Sequence, residues 1–308
     1  MSPVLYVAQQ LINAVALGSL YALVAIGLSM VFGILRMANF AHGDMMMVGA
    51  FATLVLGGLG VPFGWAVTAG LAAGALAGVI IERTAYRPVR GAPEVTLLLT
   101  SLALTYILEN LGILIFTSSP RNFPVPDWMD NAVQLAGGQI TFTQINILTV
   151  VLTGVALAGL GWFVTRTDLG LGMRAAAEDI GAAHLVGLDV NRLIVVAFAI
   201  ASGFAGLAGV LWAAQSGEGP RSAGDVVEPH MGFTPLLKAF VAAIIGGFGS
   251  IAGALLGGYL LGALEVFIVA FLPSAVSPYR DAIVFTLLIA FLLFRPNGLL
   301  SRTQEVKL

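Results

Sequence analysis

The stretch RTDLGLGMRAAAEDIGAAHLVGLDVNR (166–192) is a polar interval between two long apolar runs, and its reading decides the fold. Arg166, Asp168, Arg174, Glu178, Asp179, Asp189 and Arg192 are all charged. At helical spacing, Met173, Ala176, Ile180, Ala183 and Gly187 form one narrow stripe of small and apolar side chains. Arg174 and Glu178 stand four apart on another face, close enough to pair, in the weaker Arg-before-Glu order. Lipid tails do not cover a short amphipathic helix that lies between membrane spans. Its stripe therefore needs a partner, either this chain's own loops or another protein. Two readings stand on these residues alone: a solvated loop, and a docking helix.

The flanking runs are what make this a loop between spans. The chain of 308 residues is 58% hydrophobic and 10% charged, with a mean hydropathy of +0.97. A soluble domain carries about 25% charged residues. No charge falls between the N-terminal residue and Leu35, between Met45 and Ile81, or between Asn131 and Thr165. Each run exceeds the roughly 20 residues needed to cross the hydrocarbon core. The fold class is all-α, a polytopic transmembrane bundle forming a single domain over 1–308. Spans are expected at 7–33, 40–58, 63–81, 95–117, 144–165, 192–215, 234–249, 251–271 and 279–294. Residues 1–10 contain no Lys or Arg, and the apolar run continues past a signal core, so the first segment is expected to remain a membrane helix.

Glycine spacing supports close packing. Gly70/Gly74/Gly78, Gly203 with Gly206/Gly209, and Gly253/Gly257 have the small-xxx-small pattern that lets helix backbones approach in lipid. The net charge of -2 says little about partners, but its distribution is informative. Arg36, Arg83, Arg87, Arg90, Arg166, Arg174, Arg192, Arg295, Arg302 and Lys307 fall on one side, leaving Arg121, Arg221, Arg280 and Lys238 for the other. The positive-inside rule places the larger group, the loop 166–192 included, in the cytoplasm. The N-terminus is then outside and the C-terminus inside.

That orientation puts 217–232 and 272–280 on the same outer face, so 233–271 must enter and return. GGFGS (246–250) interrupts it, and two readings remain: two short crossings, or a re-entrant pair of half-helices. Asn39–Gly78 shares with Phe233–Glu265 an order of polar start, glycine-bearing segment, break and second segment, in opposite expected directions, as an inverted repeat would. The outer loop Thr117–Thr143, with Pro120, Pro124, Pro126, Trp128 and Gly137–Gly138, is long and turn-rich, as functional or binding loops often are.

Several function classes are excluded or disfavoured. Zero cysteines rule out disulfides, iron–sulfur clusters and thiolate metal sites. Lys238 and Lys307 follow Leu237 and Val306, so the chain has no P-loop lysine and cannot hydrolyse ATP through one. His42, His184 and His230 are scattered, and GFGSIAG (247–253) has no identifiable base nearby. No enzyme activity, metal or cofactor is expected. Asn39, His42 and Asp44 form the densest polar cluster at a span's start. Their plainer reading is interfacial helix caps and their alternative a pathway role, since an ionisable group at depth costs roughly 3 kcal/mol. Glu109 and Glu265 have apolar flanks and should face the bundle interior, in structural hydrogen bonding or on a substrate path.

Six blocks then carry a family resemblance: NFAHGDMMMVGAF (39–51), ERTAYRPVRGAP (82–93), LGMRAAAEDIGAAHLVGLDVNR (171–192), AFAIASGFAGLAGVLWA (197–213), AIIGGFGSIAGALLGGYLLG (243–262) and FRPNGLL (294–300). In this order and spacing the chain resembles the permease subunits of branched-chain amino-acid ABC importers, the shorter of the two permeases such systems pair. The resemblance implies a multi-pass protein of the bacterial inner membrane. It also implies a second homologous permease, two ATP-binding cassette ATPases and an extracytoplasmic solute-binding protein as partners, and no nucleic acid. In such permeases a cytoplasmic Glu-Ala-Ala-type loop meets the ATPases. Here its counterpart is AAAEDIGAAHLVG, with Met173, Arg174, Ala177, Glu178, Asp179, Ile180 and Gly187, and it departs from the motif because Asp179-Ile180 follow Glu178. The resemblance tips the loop towards docking and implies alternating access driven by ATPase closure. Branched-chain amino acids are the expected substrate, with urea or short amides next. An ion-coupled carrier using Glu109 and Glu265 is the rival class.

Overall fold

In lipid, backbone polar groups must be satisfied within the segment, so charge-free runs of this length have to be helical. The computed structural model describes residues 2–123, 125–135, 137–215, 227–273, 279–295 and 298–300. Pro124, Arg221, Arg302, Lys307 and the Pro296–Asn297 part of the final block lie outside the described residues. The architecture is all-α, with one small hairpin. Its helices are α1 (Pro3–Leu35), α2 (His42–Gly58), α3 (Phe63–Ile81), α4 (Glu94–Phe116), α5 (Gln144–Arg166), α6 (Asp168–Glu178), α7 (Ile180–Leu185), α8 (Val190–Gln215), α9 (Phe233–Gly246), α10 (Ile251–Phe271) and α11 (Arg280–Phe294). Among the described residues α1, α3 with its extension to Val89, α4, α5, α8 and α10 are long and apolar enough to cross a membrane. The 17, 14 and 15 residues of α2, α9 and α11 make them shorter. Each expected span coincides with one of these nine helices.

α1 is the central strut. Ser2 caps it by accepting from the Leu5 amide, and Arg36, in the left-handed region at φ 54°, ends it. α10 runs antiparallel along almost its whole length: Gly249 N–H donates to Ser29 Oγ at one end, and Tyr6 OH donates to the Ala270 carbonyl at the other. Between these, Gly258 packs on Ala22 and Gly262 on Gly18 so closely that a Cβ at either glycine would strike backbone. α8 lies along α3 in the same manner, with Gly206 against Gly74 and Ser202 against Gly78. The small-xxx-small glycines are thus contact points, where packing rather than hydrophobic burial holds helices in lipid.

The packing is reciprocal. The sets α1–α2–α3–α4 and α8–α9–α10–α11 each open with a long helix, and that helix lies along the third helix of the other set. The starts of α2 and α9 meet, with Gly43 and Gly232 in backbone contact. The counterpart segments expected at 39–78 and 233–265 therefore sit within a larger reciprocal arrangement.

The segment 233–271 is a helix pair broken at 247–250, with α9 short and α10 long and apolar enough to cross a membrane. The C-terminal end of α9 meets that of α1, where Gly249 lies against Gly33, and Leu299 N–H donates to the Ile245 carbonyl at 2.8 Å. Two expectations need correction. The 166–192 stripe is not one helix, because Asp179 is extended (φ -154°, ψ 112°) and separates α6 from α7. His42 and Asp44 are not interfacial caps. Residues 36–41 turn back into the bundle, α2 opens with no side-chain cap, and His42 lies against Gly27 in the middle of α1.

The loop 117–143 contains a 3-10 turn (Asp127–Asp130) and a hairpin, β1 (Ala132–Leu135) with β2 (Ile140–Thr143). Gly137 and Gly138 turn it at φ 70° and 85°, conformations that strain other residues. Gln9 of α1 pairs with the backbone of Thr141 in both directions, at 2.7 and 2.8 Å. Arg121 bridges Val227 in antiparallel fashion, which ties this loop to the approach to α9.

Candidate functional site

Three arrangements of side chains stand out from the packing. The first is the α6–α7 pair. Thr167 caps α6 by accepting from the Gly170 amide at 3.0 Å, and Asp179 caps α7 by accepting from Ala182 at 2.9 Å. Gly170 sits so tightly on Phe163 and Val164 that α6 folds directly back on α5. Met173, Ala176 and Ala183 of the stripe are buried on this chain's own helices. Ile180 is exposed, as are Leu171, Leu185 at 90% and Val186 at 75%, while Arg174, Glu178 and Asp179 face outward around them. The stripe is thus divided, one part seated and one part bare. Gly187 ends α7 at φ 82°, and Arg36 at the foot of α1 donates to the Ala177 carbonyl at 3.4 Å. The basic loop 82–93 is held nearby: Arg90 pairs with buried Glu82 and donates to Asn191 of α8 at 2.6 Å.

The second arrangement joins α1, α9, α10 and α11. Glu265 is 1% exposed, with Lys238 Nζ at 2.9 Å, Tyr21 OH donating to it at 3.0 Å and Arg280 at 3.8 Å. Lys238 reaches Asp281 as well, at 3.1 Å, and lies 5.8 Å from the centre of the Tyr21 ring. Two cations and two carboxylates balance there. Sequence reading placed Lys238 and Arg280 on the outer side and missed their pairing with Glu265, because the partners are distant in sequence and meet only through helix packing.

The third lies between α2 and α4. Asn39 accepts from Tyr86 OH at 2.6 Å, and the Phe40 amide donates to Ser101 Oγ at 3.2 Å. Asp44 faces Thr105, and Glu109 pairs with His230 at 3.1 Å. His42 does not join them. It points away into the core, and neither of its ring nitrogens makes a well-formed hydrogen bond, although the ring faces the Val24 backbone. Among the described residues, no group of His, Asp and Glu is placed to hold a metal ion.

Among the described residues, six helices long and apolar enough to cross a membrane, packed with three shorter ones around buried polar clusters, define a polytopic membrane protein. The family model described as "Branched-chain amino acid transport system / permease component" matches residues 10–292, and the chain belongs to that family. It is 36% identical to the high-affinity branched-chain amino acid transport system permease protein LivH of Escherichia coli, over 98% of both chains. It is 37% identical to the corresponding permease protein BraD of Pseudomonas aeruginosa, over 97% of both. The permease protein LivM of Escherichia coli is 28% identical, over 95% of this chain and 70% of its own length. No solved structure matches the chain.

Proposed function

We propose that the chain is the translocation subunit of an ATP-driven importer of branched-chain amino acids in a bacterial inner membrane. It works beside a second, homologous permease, with two separate ATPase subunits on the cytoplasmic side and an extracytoplasmic binding protein delivering substrate. The observation that carries this reading is the end-to-end similarity to permeases named for that transport system. The relation to LivM supports pairing of two permease types. The basic loops support an orientation with the N-terminus outside and 166–192 inside.

In this reading α6–α7 is the element that the ATPases grip. Leu171, Ile180, Leu185 and Val186 form its apolar contact, and Arg174, Glu178 and Asp179 form the charged rim. Met173, Ala177 and Gly187 set its seating and its exit. Because α6 is joined to α5, packs against α8 and touches the foot of α1, a push on it re-aims three spans at once, as alternating access requires.

The test is co-purification from native membranes of the wild-type chain and of Ile180→Asp with Leu185→Asp. Both positions are exposed, so the bundle should survive the change. The expected result is that an ATPase pair accompanies the wild type and is lost from the variant. ATPases retained by both would place the contact elsewhere. Uptake into liposomes holding this chain alone would replace the reading with a self-sufficient carrier.

A further inference from the structure

α4 turns a polar line towards the bundle. Its buried residues are Ser101, Glu109 and Gly112, and Thr105 completes the spacing of four between Ser101 and Glu109. The other polar residues of the helix, Glu94, Thr96, Thr100, Tyr106 and Asn110, are not buried, so this line is its buried polar face. Asn39, Asp44 and Tyr86 stand opposite, 2%, 4% and 0% exposed. Two of their atoms, Asn39 Nδ2 and Asp44 Oδ2, are buried without a hydrogen-bond partner. Asp44 and Glu109 are close enough to interact electrostatically, and His230, half-exposed, marks the seam's mouth.

The second half of the molecule shows how this chain accommodates a carboxylate that is permanently buried. Glu265 receives a lysine, an arginine and a tyrosine hydroxyl. Asp44 has a threonine hydroxyl and, among the described residues, pairs with no Lys or Arg. A buried carboxyl without a counter-ion favours its neutral form, and a cation that enters the seam would stabilise the ionised one. The seam holds two carboxylates, one of them paired with His230, three hydroxyls whose donors are used within the protein at Tyr86, Ser101 and Thr105, and one free amide, which leaves an excess of acceptor positions. They suit a primary ammonium, which brings three N–H donors and no acceptor.

We infer that the seam between α2 and α4 is the subsite for the ammonium end of the transported amino acid, with Asp44 and Glu109 as its acceptors and the free amide of Asn39 facing the substrate carboxylate. This rests on the importer reading and adds the residues that meet the substrate's polar head.

The chain contains no cysteine, so single cysteines report cleanly in the assembled importer once those of its partners are replaced. The experiment compares Thr105→Cys, Ser101→Cys and Ala103→Cys, the last on the exposed face of α4. Each is treated with 2-aminoethyl and with 2-sulfonatoethyl methanethiosulfonate, and the rate of labelling is read by mass. At Thr105→Cys and Ser101→Cys the ammonium reagent should react at least tenfold faster than the sulfonate, while Ala103→Cys reacts with neither. Adding Asp44→Asn should bring the two rates together, a change that a purely structural aspartate would not cause. Absence of labelling at both seam positions, or equal rates with Asp44 intact, would overturn the inference. Failure of the wild-type assembly to import leucine, isoleucine or valine would instead defeat the importer reading, whatever the labelling rates.

Discussion

At Lys238 one ammonium serves two carboxylates, Glu265 in the bundle and Asp281 at its edge. Removing one member of a buried pair costs more than removing both, because the survivor keeps an uncompensated charge. Lys238→Met should therefore destabilise the protein by about 3–5 kcal/mol, seen as a lower melting temperature in detergent. Lys238→Met with Glu265→Gln should recover most of that loss. The burial of Glu265 was readable from its apolar flanks, whereas its partners were not, since the pairing needs the crossing of α9 and α10. Asp44 failed in the opposite way. It looks like a helix cap in sequence, and only the return of residues 36–41 into the bundle shows that it is buried.

The elements themselves were legible, because charge-free length and helical backbone satisfaction leave little choice in lipid. Local interruptions were less so. A stripe at helical spacing runs unbroken through Asp179, but a side-chain pattern does not register an extended backbone at one residue. Asp179→Ala removes the cap of α7 and should cost about 1 kcal/mol locally. Hydrogen exchange at 180–185 should quicken roughly fivefold while the spans stay unchanged. Glycine contacts predict a harsher outcome between α9 and α10. Gly257 faces the Ala242 carbonyl with no room for a Cβ, so Gly257→Val should sharply lower the amount of monodisperse protein recovered from membranes.

For the molecule as a whole, the basic stretches 82–93 and 166–192 lie at the end of α1 marked by Arg36, and the hairpin lies at the end marked by Gln9. The proposed orientation predicts that Leu185→Cys is labelled by an impermeant maleimide only in inverted vesicles, and Gln139→Cys only in right-side-out cells. The reverse pattern would invert the topology. The reciprocal arrangement of the two helix sets was visible in sequence only as a resemblance of glycine-broken segments. Its long-helix component could not be seen, because α1 and α8 differ in length and have no motif in common. α1 adds a consequence of its own. This one rod of 33 residues, about 50 Å long, holds the hairpin through Gln9 at one end and α6 through Arg36 at the other. The two ends of the molecule are thus joined by a single continuous helix. In the proposed importer, coupling of the two ends through this rod would be reciprocal: nucleotide on the ATPases would change the affinity for the binding protein by the same factor that the binding protein changes the affinity for nucleotide.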